Sequence, residues 1–366
     1  MSKKVNGPFD KRGYFGFASR KYFSRLCRHK LFIFISVLFS CFCYLRTCQM
    51  RKWDDAESSE NKISYSLLFV ALISKSSEYG VRSAIRSSWL QGKGSQVQHK
   101  FFLGGENLSS LELEELRREN REYHDIVVLN MEDTYFNLTL KTILAFDWIS
   151  ENVNASFILK SDTDVYIKVD RLIETLNEAT KQNFYMGTLV KFGSSKPLNF
   201  DGWKNHRWYT AMEEYPFHFW PPYLFGFAYV VTMDLVHVIA QCRPQNLACS
   251  SNGSYRSCAS SNCPFQLVKF EDVTVGGIVF FHSNKDLPHS ILNCTESICL
   301  IAGRELTTAV DNEKFINEPY YYGKRKCTES FLAIHRIRPE KMLAYHSNIS
   351  AKQTAMICDE DFIRYF

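Results

Sequence analysis

Residues 157–164 read FILKSDTD, and this stretch is the most informative part of the chain. Its apolar start, followed by Asp162 and Asp164, predicts a short buried strand that ends in two carboxylates. A strand end is rigid, so it holds both carboxylates in a fixed direction. Two hard oxygen ligands at this spacing suit Mg²⁺ or Mn²⁺, with a substrate diphosphate completing the coordination shell. The alternative is a solvated turn, which is our interpretation of residues 359–361 (DED), where no apolar strand precedes the acidic pair.

Apolar runs alternate with helical patterns on both sides of this stretch. Residues 67–73 (LLFVALI) are apolar without interruption, as a buried parallel strand requires. Further strands are predicted at 99–103, 126–129, 184–187 and 226–231, and helices at 79–91, 111–122, 137–151 and from residue 170. This alternation predicts an α/β fold with a parallel sheet and right-handed crossovers. Ligands bind at the carboxyl ends of such strands, which is where Asp162 and Asp164 fall.

The strand–helix alternation stops after Lys191, where Pro, Trp and Tyr become common. These residues include Trp203, Trp208, Tyr209, Tyr215, Pro216 and residues 220–223 (WPPY). Exposed aromatic rings suit the faces of sugars, whereas packing among loops is the alternative for any one of them. The sequence contains no G-x-G-x-x-G motif and no P-loop.

The N-terminal segment is basic and precedes an uncharged run. Residues 1–30 contain nine Lys or Arg and one acidic residue, Asp10, and they predict a cytosolic tail. Residues 31–45 carry no charge, so a short transmembrane signal-anchor is predicted at 31–48. A lumenal stem at 49–64 and a lumenal body are expected to follow, as in a type II single-pass membrane protein. A cleaved signal peptide is the alternative, but no A-x-A-like cleavage site follows the apolar run.

The formal net charge of +5 is concentrated in this tail. Residues 1–30 contribute +8, which leaves −3 for the rest of the chain. The basic isoelectric point is therefore no argument for a nucleic-acid partner, and we expect none.

Two features of the body support a lumenal position. Six N-x-[ST] glycosylation sequons follow the predicted anchor, at Asn107, Asn137, Asn154, Asn252, Asn293 and Asn348. Eight cysteines lie in the C-terminal third, at Cys242, Cys249, Cys258, Cys263, Cys294, Cys299, Cys327 and Cys358. In an oxidising compartment an even number of cysteines predicts disulfides, although the pairing cannot be deduced. A zinc site is the alternative, but the spacing is loop-like and contains no C-x-x-C pair.

The acidic pair Glu271–Asp272 precedes a run of small residues that predicts a helix start. Transfer from a nucleotide-sugar needs a cation for the departing diphosphate, a base for the acceptor hydroxyl and a site that aligns both substrates. The carboxylates at Asp162 and Asp164 suit the first role, and this acidic pair suits the second. The alternative role for the pair is to cap the helix.

The chain resembles the β-1,3-galactosyltransferases of animal Golgi membranes, glycosyltransferase family 31, over about residues 65–345. The matching segments follow the family's order: 82–89 (RSAIRSSW), 133–142 (DTYFNLTLKT), 159–165 (LKSDTDV), 215–216 (YP), 226–230 (GFAYV), 271–276 (EDVTVG) and 334–342 (IHRIRPEKM). The resemblance implies a GT-A fold, an inverting mechanism and a UDP-galactose donor. It implies a catalytic domain at 65–366, with a donor half at about 65–190 and an acceptor half at about 191–366.

The resemblance also implies roles for individual residues. Asp164 and His335 are the expected ligands of Mn²⁺, and His282 is a rival ligand. Asp162 is expected beside the ribose and the water molecules bound to the metal. Asp272 is the expected base, with Glu271 beside it. The expected donor-binding residues are Arg82, Arg86, Asp133, Lys141, Lys160 and Asp162. The implied partners are a UDP-sugar and a glycan acceptor on a protein or lipid, and the implied location is the Golgi membrane.

Some features depart from the family's pattern. Ser88 stands where Thr is usual, and Thr163 replaces a frequently acidic residue. The cysteine-rich segment 249–263 precedes the acidic pair and leaves the choice of acceptor open. The alternatives are a β-1,3-N-acetylglucosaminyl- or N-acetylgalactosaminyltransferase, an inactive lectin-like protein and a disulfide-stabilised adhesion domain. The strand–helix alternation argues against the adhesion domain.

Overall fold

The computed structural model describes residues 64–191, 196–199, 204–244, 260–286, 288–289, 292, 309–311, 315–316 and 332–350. The predicted tail and anchor, and all of the predicted stem except Ser64, lie outside these ranges. Among the described residues, no helix is both long enough and apolar enough to cross a membrane.

Four parallel strands form the first half of the central sheet. They are β1 (Ser66–Ile73), β2 (Val97–Gly104), β3 (Ile126–Leu129) and β4 (Ala155–Asp162). Strand β1 pairs in parallel with both β2 and β4, and β2 pairs in parallel with β3. Every residue of β1 is buried, which confirms that its uninterrupted apolar sequence marks a strand covered on both faces.

The second half of the sheet departs from the parallel pattern. The central sheet runs in the order β3-β2-β1-β4-β7-β6-β8, with β6 at Tyr185–Val190, β7 at Tyr223–Thr232 and β8 at Ala309–Asp311. Strand β7 is antiparallel to both of its neighbours, β4 and β6. The sheet is therefore mostly parallel within a mixed α/β structure, which fits a GT-A-like fold.

The antiparallel pairing brings the beginning of β7 to the carboxyl end of β4. Ser161 pairs with Ala228, so Gly226 and Phe227 lie beside the end of β4 that carries Asp162. Sequence periodicity predicts β7 as a buried strand but does not give its direction.

Seven helices surround the sheet in the described ranges. They are α1 (Tyr79–Arg86), α2 (Ser110–Tyr123), α3 (Leu138–Asn152), α4 (Val169–Asn177), α5 (Met233–Ala240), α6 (Glu271–Ser283) and α7 (Pro339–Ser350). Helix α2 begins at a capping box in which Ser109 and Glu112 bond each other's backbone N–H groups. Helices α3, α5 and α6 pack together, and their apolar residues share a core with Phe69, Phe102 and Tyr229 of the sheet.

A second, three-stranded sheet holds the C-terminal segment against the exit of β4. Strand β10 (Ala333–Ile334) pairs with β5 (Tyr166–Ile167) and with β9 (Phe315–Ile316). Two backbone bonds extend this pairing: Lys168 N–H donates to Leu332 at 2.8 Å, and Ile337 N–H donates to Asp164 at 2.7 Å. The contact fixes residues 332–337 next to the two carboxylates.

One disulfide, Cys242–Cys263, joins the end of α5 to the segment that leads into α6. It brackets the segment 245–259, which lies outside the described residues. The disulfide confirms the expected oxidised state for this pair. The other six C-terminal cysteines also lie outside the described ranges.

The predicted glycosylation sequons differ in their accessibility. Asn107 and Asn154 are exposed. Asn137 is buried, and its side-chain amide donates to the carbonyl of Glu132 at 3.0 Å. A glycan on Asn137 is therefore incompatible with the folded arrangement.

Candidate active site

The carboxyl ends of three parallel strands meet at one edge of the central sheet. Ile73 at the end of β1 pairs with Phe102 of β2 on one side and with Asp162 of β4 on the other. This edge carries the polar groups that the parallel topology predicts for a ligand site.

Asp162, Asp164 and His335 come together at this edge. Each offers one ligand atom, and these atoms lie within 4.8 Å of one another. His335 Nε2 is 3.4 Å from Asp164 Oδ1, and the imidazole ring stacks on Phe227 with centroids 4.9 Å apart. Two carboxylates and an imidazole suit Mn²⁺. His282 lies near the end of α6 and is not part of this group.

Lys160 lies beneath the two carboxylates and is only 1% exposed. Its ammonium group donates to Asp162 Oδ1 at 2.8 Å and to the carbonyl of Gly226, and it lies 3.4 Å from Glu271 Oε2. Burial alone lowers the pKa of Lys160, but the carboxylates of Asp162 and Glu271 raise it above its ordinary value. The group is therefore a buried cation that orients Asp162.

Glu271 is a buried carboxylate, 3% exposed, at the first residue of α6. The Tyr229 hydroxyl donates to its Oε1 at 2.5 Å, while Lys160 faces its Oε2. Burial raises the pKa of Glu271 to about 7, against the opposing effect of the Lys160 charge. A Cβ atom at Gly226 would meet Glu271 Oε2 at 2.7 Å, so a larger residue there would displace the Glu271 carboxylate.

Asp272 is half-buried and follows Glu271 on the first turn of α6. Its Oδ1 accepts a hydrogen bond from the N–H of Val273 at 2.9 Å. Burial raises the pKa of Asp272 above its ordinary value, although the bond from Val273 opposes this. Between the two residues of the acidic pair, Asp272 is the more accessible, as a base that meets a substrate must be.

Asp133 and Lys141 tie together the ends of β1 and β2. Lys141 is buried, and its ammonium group donates to Asp133 Oδ2 at 2.7 Å and to the carbonyl of Ser74. Asp133 Oδ2 also accepts from the N–H of Gly104 at 3.0 Å. Burial lowers the pKa of Lys141, although the negative charge of Asp133 acts to raise it. The pair braces the edge on which a donor would lie.

Arg82 and Arg86 form ion pairs within the protein. Arg82 is fully buried, donates to both oxygens of Glu119 at 2.8 and 2.6 Å, and bonds the Lys75 carbonyl beyond β1. Arg86 donates to Asp125 at 2.8 Å and to Glu119 at 2.7 Å. The Arg82 guanidinium therefore supports the segment after β1, whereas that of Arg86 pairs with the two carboxylates. The predicted contact of both residues with a donor stays a prediction.

Sequence reasoning missed several partners of these residues. Glu119 and Asp125 carry no local signal, because α2 reads as a charged surface helix. Glu78 accepts from Ser74 at 3.0 Å and from Thr163 at 3.1 Å, and so links the end of β1 to the Asp162–Asp164 turn. Apart from the bond between Ser74 and Glu78, these contacts join residues far apart in the sequence, which periodicity and motif spacing do not reveal.

Comparison with known proteins places this site in context. Residues 81–249 match the model of a family described as galactosyltransferase. Beta-1,3-galactosyltransferase 5 of Gorilla gorilla gorilla is 31% identical over 219 residues, which are 57% of this chain and 63% of that protein. The Homo sapiens protein of the same name is 30% identical over 219 residues, which cover 57% and 61% of the two chains.

A relative with a different name is equally informative. UDP-GalNAc:beta-1,3-N-acetylgalactosaminyltransferase 1 of Rattus norvegicus is 36% identical over 181 residues, which are 46% of this chain and 52% of that protein. The chain thus matches between about half and two thirds of the length of these curated relatives. Glu271, Asp272 and His335 lie beyond the matched range 81–249.

Proposed function

We propose that this chain, whose residues 81–249 match the model of the galactosyltransferase family, transfers a hexose from a UDP-sugar to the 3-hydroxyl of an acceptor glycan and forms a β-1,3 linkage. The observation that carries the proposal is the grouping of Asp162, Asp164 and His335 at the carboxyl end of β4. Asp272 supports it, because α6 begins beside the strand that pairs with β4.

The residues at the end of β4 fit a divalent cation. Asp164 and His335 would hold Mn²⁺, and Asp162, oriented by Lys160, would complete the protein's share of the ligands. Such an ion supplies charge neutralisation to the departing diphosphate. The half-exposed side chain of Asp164 is open to a ligand from solvent, as a site shared with a substrate requires.

The two carboxylates of the acidic pair differ in burial, and we assign them different roles. Glu271 is enclosed by Lys160 and Tyr229, and we assign it a positioning role. Asp272 accepts the proton of the acceptor 3-hydroxyl as that oxygen attacks the anomeric carbon of the donor. The bond between the anomeric carbon and the diphosphate oxygen breaks, UDP leaves, and the configuration inverts. The raised pKa of Asp272 suits a general base better than a fully solvated carboxylate would.

The proposed donor is UDP-galactose, with UDP-N-acetylgalactosamine as the second candidate. The first is supported by the relatives named as β-1,3-galactosyltransferases, and the second by the relative named for UDP-GalNAc. The basic tail and the apolar run 31–45 support a type II anchor in the Golgi membrane with a lumenal catalytic domain.

Release of UDP tests the proposal directly. The purified chain is incubated with UDP-galactose, UDP-N-acetylgalactosamine or UDP-N-acetylglucosamine, with Mn²⁺ and a panel of aryl β-glycosides. We expect acceptor-dependent UDP release with one of the first two donors, and a product whose β-1,3 linkage is established by NMR. Absence of transfer with every donor, from protein that is folded by calorimetry, would contradict the proposal and favour an inactive lectin-like protein.

A further inference from the structure

Two segments of the chain expose aromatic side chains around one arginine. Tyr135 and Phe136, before α3, are 52% and 54% exposed, and Trp208, beyond the parallel half of the sheet, is 45% exposed. The guanidinium carbon of Arg207 lies 5.7 Å from the Tyr135 ring centroid and 4.8 Å from that of Trp208. We name Tyr135, Phe136, Arg207 and Trp208 the aromatic platform.

The platform combines three half-exposed aromatic rings with one guanidinium group. Burying an aromatic side chain stabilises a protein, so a cluster of exposed rings forgoes that gain and is typical of a ligand-binding surface. The Arg207 guanidinium contacts the two rings, and within the part of the chain that the structure describes it donates to no hydrogen-bond acceptor. Its N–H groups are therefore available to hydroxyl oxygens.

The platform connects the two sides of the candidate site. Tyr135 follows Asp133, whose carboxylate bonds the end of β2. Trp208 precedes Tyr209. The backbone carbonyl of Tyr209 accepts a hydrogen bond from the ammonium group of Lys269, which lies two residues before Glu271 in the sequence. Along the chain, the platform therefore lies two residues from Asp133 at the donor edge and one residue from the backbone group that bonds Lys269.

We propose that the aromatic platform binds the acceptor glycan, with a pyranose ring face on Tyr135 or Trp208 and sugar hydroxyls on Arg207. The inference rests on the proposed function and names the part of the site that holds the second substrate. A pyranose carries an apolar face of C–H groups that packs on an aromatic ring, and hydroxyls that accept from a guanidinium. The acceptor must also reach Asp272, and the bond from Lys269 to Tyr209 links Trp208 to that segment. These features favour the acceptor over the nucleobase of the donor.

Steady-state kinetics of full-length protein in detergent test the assignment. The acceptor probes are p-nitrophenyl β-glycosides of xylose, galactose and N-acetylglucosamine. Trp208→Ala and Tyr135→Ala should each raise the acceptor KM by about three- to tenfold, the usual range for an aromatic contact. The donor KM and the slow hydrolysis of the UDP-sugar without acceptor should stay unchanged. Trp208→Phe, which keeps a ring, should recover most of the loss.

The matched control is Tyr65→Ala. Tyr65 is 53% exposed, but it precedes β1 at the opposite edge of the sheet, so its removal should leave both KM values unchanged. An unchanged acceptor KM in both platform variants would overturn the proposal, and a raised donor KM would assign the platform to the nucleobase instead.

Direct binding separates this inference from the proposed function. Saturation-transfer NMR with the same glycosides needs no turnover. If the wild-type chain transfers no sugar but binds a glycoside, and Trp208→Ala weakens that binding, the proposed function fails and the platform stands. If the signals of wild type and Trp208→Ala are equal, or if the wild type binds none of the glycosides, the platform assignment is overturned.

Discussion

The Lys160 ammonium lies 3.4 Å from Oε2 of Glu271, although the two residues are 111 positions apart in the chain. The same ammonium bonds Asp162 at 2.8 Å, so one buried cation joins the strand that ends in the candidate metal ligands to the helix that carries Asp272. Taking such charges out of water is costly, and the pair gains little net stability over apolar packing. Its consequence is geometric: it fixes the distance between the two halves of the site.

At pH 8, Lys160→Met should lower the free energy of unfolding by about 3–5 kcal/mol, because it leaves the ionised Glu271 buried without its cation. Urea denaturation measures the change. The double variant Lys160→Met/Glu271→Gln should recover part of the loss, since both charges are then gone. Lys93→Met is the surface control: Lys93 pairs with Asp170, which is 82% exposed, and its loss should cost less than about 1 kcal/mol. If Lys160→Met and Lys93→Met lowered the free energy of unfolding by the same amount, the buried ion pair of Lys160 and Glu271 would be contradicted.

Stability should depend on pH through Glu271. Its folded pKa of about 7 lies above the ordinary value of 4.5, so between these values the folded protein holds a proton that the unfolded chain has lost. The contribution of Glu271 to stability is therefore complete below pH 4.5 and is lost as the pH rises through 7.

Glu271→Gln removes this titration and should gain stability relative to wild type as the pH rises from 4.5 to 8, by up to about 3 kcal/mol. Unfolding curves across this range measure the difference. Asp272 and Asp162, whose pKa values burial also raises, titrate in both proteins, and loss of the Glu271 charge changes their titration less than it changes the titration of Glu271 itself. A difference that does not change with pH would show that Glu271 ionises normally in the folded state.

Asp164→Ala should abolish Mn²⁺ binding without unfolding the protein. The Asp164 side chain is half-exposed, and its backbone carbonyl keeps the bond from Ile337 after the substitution. At a hundred times its dissociation constant an ion stabilises its protein by about 2.7 kcal/mol, so Mn²⁺ should raise the melting temperature of wild type but not of the variant. His335→Ala should weaken the response, and His282→Ala is the control. If only His282→Ala abolished the rise in melting temperature with Mn²⁺, the histidine ligand would be His282 of α6 and not His335.

Buried strands and amphipathic helices were predictable because their signals are local. The run 67–73 became β1, residues 126–129 became β3, and the helix predicted at 137–151 is α3 at Leu138–Asn152. The helix predicted at 79–91 ends at Arg86, where the chain turns so that Trp89 enters the core. Two-residue strands such as β10 show no periodicity and could not be predicted.

The site was predictable only in part, because its geometry depends on contacts between distant segments. Asp162 and Asp164 stand out as a strand end, whereas His335 has no local signal and was identified through the family resemblance. Lys160 looks like a donor-binding residue in the sequence, yet Asp162, Gly226 and Glu271 enclose it. Only the antiparallel pairing of β4 with β7 brings these groups together.

The proposed base gives the sharpest mechanistic prediction. Asp272→Asn keeps an oxygen that can accept from the Val273 N–H, so the start of α6 should be preserved. It removes the basicity, and a positioned base contributes roughly 10²–10⁴-fold to a rate. Turnover should fall by about that factor, while the affinity for Mn²⁺ and UDP, measured by calorimetry, stays close to wild type because Asp162, Asp164 and His335 are untouched.

Glu271→Gln is the comparison that separates the two carboxylates. If Glu271 only positions the site through Lys160 and Tyr229, its loss should lower turnover less than Asp272→Asn does. The rate that remains in Asp272→Asn should also lose the acidic limb of its pH profile, since the group whose protonation stops the reaction is gone. Near-normal turnover in Asp272→Asn with a large loss in Glu271→Gln would reverse the two roles. Near-normal turnover in both variants would place the base outside α6, because this helix carries no other carboxylate.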